Sequence, residues 1–109
     1  MVEFHGISLK GLVSSVCVNS KEKAAVLELL TSLYKDVHAT LEVEDTKKIK
    51  GIKGVNKAYE IRKGKVRIFY VTKGNDIHII HACRKQKNKT EKTDLAVVET
   101  RFKNLVKDI

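Results

Sequence analysis

Apolar residues recur along this chain with two different periods. Leu9, Leu12, Val13 and Val16 fall at i, i+3, i+4 and i+7, the stripe of an amphipathic helix, although Gly11 weakens it. Val26, Leu29, Leu30, Leu33 and Val37 repeat the stripe more fully, with Asn19 or Ser20 placed to cap that second helix. From Tyr59 to Cys83 the period becomes two, as expected of strands. Leu95, Val98, Phe102 and Leu105 return to helical spacing, with Thr90 or Thr93 as the cap. Val2–His5 gives a weak signal for a short first strand. Residues 39–56 have no clean period and read as an exposed connection with room for an irregular strand.

The strand region specifies a register. With Lys63-Gly64 as a two-residue turn, Ile61 pairs with Val66 and Tyr59 with Ile68. With Gly74-Asn75 as the next, Tyr70 pairs with Ile79 and Ile68 with His81. One face then collects Tyr59, Ile61, Val66, Ile68, Tyr70, Ile77, Ile79 and His81, and the helices should cover it. The other collects Glu60, Arg62, Lys65, Arg67, Phe69, Val71, His78 and Ile80, half of it apolar and half cationic. The expected fold is α+β: an N-terminal helical hairpin packed on a twisted antiparallel sheet, with a C-terminal helix beside it. The 109 residues contain no proline, and they show no repeat and no linker, so residues 1–109 are expected to form a single domain.

Charge sharpens the picture. The chain carries a formal net charge of +9, unevenly spread. Residues 1–46 hold four bases against seven acids, and residues 47–109 hold eighteen against six. A chain polarised in this way presents a basic face to a polyanion. No apolar run approaches a membrane span and no signal peptide is recognisable, so a cytoplasmic protein with no membrane partner is expected. Cys17 and Cys83 lack metal-ligand spacing and read as reduced thiols.

No metal site or cofactor is expected. His78 and His81 are three apart, which on a regular strand puts them on opposite faces. His81 reads as a hydrogen-bonded core histidine, and His5 and His38 have no identifiable partners. What remains is a cationic set: Lys53, Lys57, Arg62, Arg67, Lys85, Lys87 and Lys89. Arginine suits bidentate phosphate binding, and a lysine crowded by other cations loses basicity. RNA cleavage needs a proton acceptor for the 2′-hydroxyl, a counter-charge for the phosphate and a proton for the leaving 5′-oxygen. Arginines and lysines can supply all three. The same residues can equally just hold a polyanion.

The motifs Tyr59-Glu60-Ile61-Arg62, Val66-Arg67-Ile68-Phe69-Tyr70, His81-Ala82-Cys83 and Lys85-x-x-x-Lys89-Thr90, with Arg101 in the closing helix, resemble the RelE/ParE toxin superfamily, and most of all its phage-derived, HigB-like branch. The likeness covers about residues 20–107. It implies a RelE-like fold and the toxin of a type II toxin–antitoxin pair. Such a toxin is a metal-independent endoribonuclease that cuts mRNA in the A site of the 30S ribosomal subunit, by attack of the 2′-hydroxyl on the adjacent phosphate. The implied partners are a cognate antitoxin and, only through it, operator DNA. Carried over by position, Arg62, Arg67, Lys57 and Lys85 are the catalytic set. Lys53, Lys65, Phe69, Arg84, Lys87 and Lys89 would bind RNA, with Phe69 able to stack a base or to pack. No tyrosine follows Tyr70, which keeps open a ParE-like inhibitor of DNA gyrase. A nucleic-acid-binding module without toxicity is the third possibility.

Overall fold

The computed structural model describes residues 1–49, 57–85 and 92–108. Strand β1 (Val2–Phe4) is followed by a single helical turn, α1 (Leu9–Gly11), which runs into a π-helical segment, Leu12–Val16. Then come α2 (Ser20–Lys35), α3 (Val37–Val43), β2 (Asp45–Lys48), β3 (Tyr59–Lys63), β4 (Val66–Lys73), β5 (Asp76–Arg84) and α4 (Lys92–Asp108). The five strands form one sheet in the order β1-β5-β4-β3-β2. All neighbours are antiparallel except β1, which pairs parallel to β5.

Local chemistry sets the helix ends. Asn19 Oδ1 accepts from the Glu22 backbone N–H at 2.9 Å, and Glu22 Oε1 accepts from Val18 N–H at 2.9 Å, so two free donors at the start of α2 are satisfied. Asp36 ends α2 and caps α3 by accepting from Ala39 N–H at 3.1 Å. Helix α3 and strand β2 occupy part of the stretch expected to be a connection. The first of the two expected helices spans its stripe from Leu9 to Val16, as one α-turn followed by the π-helical segment. Its residue Leu12 is fully buried, whereas Leu9 is exposed.

The sheet is covered on both sides. Val26, Leu29, Leu30 and Leu33 of α2, with Leu12 and Val37, pack on Ile61, Val66, Ile68, Tyr70, Ile77, Ile79 and Ala82. On the other face Val98, Phe102 and Leu105 of α4 pack on Phe69, Val71 and Ile80, with Ile49 and Ala58. The C-terminal helix therefore lies over the face expected to be open.

The register differs from expectation at two places, each with a cause. Gly64 has φ +60° and Gly74 has φ +59°, while no other residue in either turn has positive φ. Glycine thus takes the first central position of both turns, as a type II′ turn requires. The first loop is Gly64-Lys65, so Ile61 pairs with Ile68 and Arg62 with Arg67. That is a two-residue slip, and it leaves every side chain on its expected face. The second loop is Gly74-Asn75, as expected, and Tyr70 pairs with Ile79. Between Tyr70 and Phe69 the register then shifts by one, a bulge that sets His81 opposite Phe69 and Ala82 opposite Ile68. His81 therefore leaves the α2 face and turns towards α4.

Ile79 and Ile80 are neighbours on β5, point to opposite sides, and are both fully buried. Ile79→Asp and Ile80→Asp are each expected to abolish the cooperative thermal transition seen by circular dichroism, because each buries a carboxylate without a partner. An Ile80→Asp protein that melts like wild type would contradict the second core.

Candidate nucleic-acid interface

Strand β4 is buried from Ile68 to Val71 and polar at its ends, and the same holds for much of β5. The hairpin end of β3 and β4 is where arginines can stand without entering a core. Arg62 and Arg67 lie directly opposite each other there, on the α4 side of the sheet but beyond its apolar contact. Asp45 on β2 stands opposite Arg62, and Cys83 on β5 opposite Arg67.

The two guanidinium groups are held differently. Arg62 Nε lies 3.6 Å from Asp45 Oδ2 and 3.9 Å from Glu60 Oε1. These are ion-pair distances, too long for hydrogen bonds. Arg67 Nη1 donates to its own hairpin, to the carbonyl of Gly64 and to that of Val66 at 3.1 Å. The Nε–H groups of both arginines, together with Glu60 Oε2, are buried with no hydrogen-bond partner among the described residues. Two guanidinium groups on directly opposed strand residues make a compact cationic pair.

The floor beside the arginines is a second polar group. His81 Nε2 lies 2.9 Å from Asp94 Oδ1, and Arg101 Nη1 lies 3.4 Å from His81 Nδ1 and 2.8 Å from the Ile80 carbonyl. Arginine can only donate, so Nδ1 accepts and Nε2–H donates to Asp94. The Cys83 thiol also hydrogen-bonds Asp94, and burial, reinforced by that carboxylate, pushes its pKa up to about 12. The thiol therefore stays protonated. Burial likewise raises the Cys17 thiol.

The remaining expected site residues divide. Lys85 sits at the end of β5, its N–H donating to the Lys65 carbonyl at 2.7 Å, so both lysines stand at the arginine end of the sheet. Arg84 points to the opposite face, where its guanidinium pairs with Glu22 and fastens the start of α2. Phe69 is fully buried and stacks on His81 with ring centroids 5.6 Å apart, so it packs and offers no ring to a base. Lys57 is exposed and precedes β3. At extended spacing its backbone stands about 16 Å along the chain from that of Arg62. Lys53, Lys87 and Lys89 lie outside the described residues. Glu60 and Cys83 stand in the motifs without a site role assigned from the sequence, and Asp45 and Asp94 were not singled out. A glutamate between strand residues that alternate into two cores was the available signal for Glu60.

The histidines also differ from expectation. The bulge brings His78 and His81 to the same side of β5, yet they enter separate groups. His5 Nε2 lies 2.9 Å from His78 Nδ1, and His38 Nε2 lies 2.7 Å from the Gly74 carbonyl, so both have partners.

The family described as phage derived protein Gp49-like matches residues 16–103. The chain belongs to that family. The matched residues include the motifs around Arg62 and Arg67. Among solved structures, the YoeB dimer from Staphylococcus aureus is similar, with a TM-score of 0.52 and 21% identity over 79% of this chain and 95% of that one. At that identity the likeness establishes the RelE-type fold of the Gp49-like chain. No curated protein matches the sequence. Among the described residues, no helix is long and apolar enough to cross a membrane.

Between a thiol's ordinary range and about 12, the folded chain keeps a Cys83 proton that the unfolded chain has lost. Stability therefore falls as pH rises through that window. The melting temperature of wild type is expected to drop more steeply above pH 9 than that of Cys83→Ala. Native protein at pH 8 should react slowly with a thiol-disulfide reagent, and fast labelling of Cys83 would contradict its burial.

Proposed function

We propose that this Gp49-like chain is the toxin of a toxin–antitoxin pair and arrests translation by cutting mRNA on the ribosome. The observation that carries this is the pair Arg62 and Arg67, set directly opposite each other at the hairpin end of the sheet. A phosphate bridging the two guanidinium groups would gain charge-assisted hydrogen bonds from residues whose backbone positions the sheet has already fixed. Ordering entropy is then spent in folding and not in binding.

In the proposed reaction the 2′-hydroxyl passes its proton to solvent water and its oxygen bonds to the adjacent phosphorus. The bond from phosphorus to the 5′-oxygen breaks, leaving a 2′,3′-cyclic phosphate, and that 5′-oxygen takes up a proton. Arg62 and Arg67 balance the extra negative charge that develops on the phosphate. Lys85, beside Lys65 at the same end of the sheet, would bind the strand and supply the proton to the leaving oxygen. Glu60 and Asp45 orient Arg62 through their ion pairs. The scheme uses no metal. The antitoxin would silence the toxin by covering or neutralising this basic end, and operator DNA would be reached only through the antitoxin. The 30S A site is the setting in which a single mRNA strand is presented to such a hollow.

Expression of wild type from a tight promoter is expected to stop growth, with primer extension showing discrete cuts within codons. Arg67→Lys keeps one charge but lacks the fork, and it should lower toxicity by at least about 100-fold, a loss of roughly 2.7 kcal/mol in transition-state stabilisation. Arg67→Ala should remove toxicity while the chain still melts cooperatively. Full toxicity in Arg67→Ala would place the site elsewhere. Intact transcripts with accumulating double-strand DNA breaks would favour a gyrase poison instead.

A further inference from the structure

At the other end of β5, far from the arginines, a buried histidine meets two edge residues. Glu3 and His5 are two apart on β1 and its extension, so they share a side of the strand. The parallel register sets His78 directly opposite Glu3, and the His5 N–H donates to the Ile79 carbonyl at 2.8 Å, which carries the pairing one residue further. His78 Nδ1 then lies 2.9 Å from His5 Nε2 and 3.1 Å from Glu3 Oε2. The three ligand-capable atoms all lie within 4.8 Å of one another.

Hydrogen bonding does not fully satisfy this triangle. Nδ1 of a neutral imidazole carries either a proton or a lone pair, never both. With a proton there, it can serve Glu3, and His5 Nε2 is left competing for the same hydrogen. With a lone pair there, it accepts from His5, and the Glu3 carboxylate oxygen faces that lone pair at 3.1 Å. Protonating both rings would meet the carboxylate but would place two charges side by side. His78 has only 4% of its surface exposed, and its burial opposes the charged form.

We propose that Glu3, His5 and His78 bind one divalent transition-metal ion of the zinc class. Two imidazole nitrogens and one carboxylate oxygen are a borderline donor set, suited to zinc, cobalt or nickel and not to magnesium or calcium. Tetrahedral bonds of about 2.0–2.1 Å put ligand atoms about 3.4 Å apart, so the two sides that meet at His78 Nδ1 lengthen by up to about half an ångström to admit the ion. A fourth position is left for water. His78 and Cys83 are five residues apart on β5, which puts the ion about 16 Å along the strand from the arginine end. The metal would act as a clasp, fastening the three-residue edge strand β1 to its neighbour β5. The site does not depend on the nuclease reading.

The test uses the full chain without an affinity tag, freed of metal with a chelator and titrated with zinc chloride. Isothermal titration calorimetry is expected to give one zinc per chain, and the melting temperature should rise with zinc concentration. Cobalt should replace zinc and give visible absorption typical of a four-coordinate ion. Glu3→Gln is expected to weaken zinc binding at least about tenfold, and His5→Gln about a hundredfold. Both residues stand on the edge strand, so both variants should fold without metal. No zinc binding by wild type would overturn the proposal. So would affinity unchanged in the Glu3→Gln/His5→Gln double variant, which would move the ion to His81, Cys83 and Asp94.

Discussion

A strand buried on both faces has no side on which to carry charge. Strand β4 is in that position, with Ile68 and Tyr70 under α2 and Phe69 and Val71 under α4. Its polar residues are forced to its ends, and the end nearest the β3–β4 turn is where Arg67 meets Arg62. Two polar side chains break this rule in the strands, Glu60 and His78, and each is buried. Each also has company of opposite or matching chemistry: Arg62 beside Glu60, and Glu3 with His5 beside His78. Burial of that kind is tolerated only with partners, so these are the places where the fold has accepted a cost for chemistry.

Much of the fold was legible because side-chain direction in a strand depends only on parity. The first turn was misplaced by one residue, at Lys63-Gly64 where the loop is Gly64-Lys65, yet the pairing slipped by two and both arginines kept their common face. Glycine at the first central position, the rule that served at Gly74, would have given the correct register at Gly64 as well. Parity fails at a bulge, and the extra residue near Phe69 and His81 has no local sequence signature. That one residue moved His81 from one face to the other, while Ile80 kept its expected face. Helix α3 was missed because Val37 had been absorbed into the preceding stripe, although Asp36 was available as both stop and cap.

The candidate site was half legible. Arg62, Arg67 and Lys85 come to one end of the sheet as the motifs implied, and Lys65 joins them at the turn. Phe69 and Arg84 do not join. The aromatic was needed by the second core, and the arginine by Glu22, whose carboxyl is held below the usual range first by the Val18 N–H and then by Arg84. Sequence lists charged residues without saying which already have partners. In a chain with 22 bases, that distinction separates a site from a surface.

The central claim is that the Arg62 and Arg67 guanidinium groups jointly receive one phosphate. Nitrogen-15 NMR of the arginine Nε–H groups, during titration with a short RNA made uncleavable by 2′-O-methylation, reads this directly. The Arg62 and Arg67 signals are expected to shift together and to saturate at one RNA per chain. RNA that binds while both signals stay in place would contradict the account.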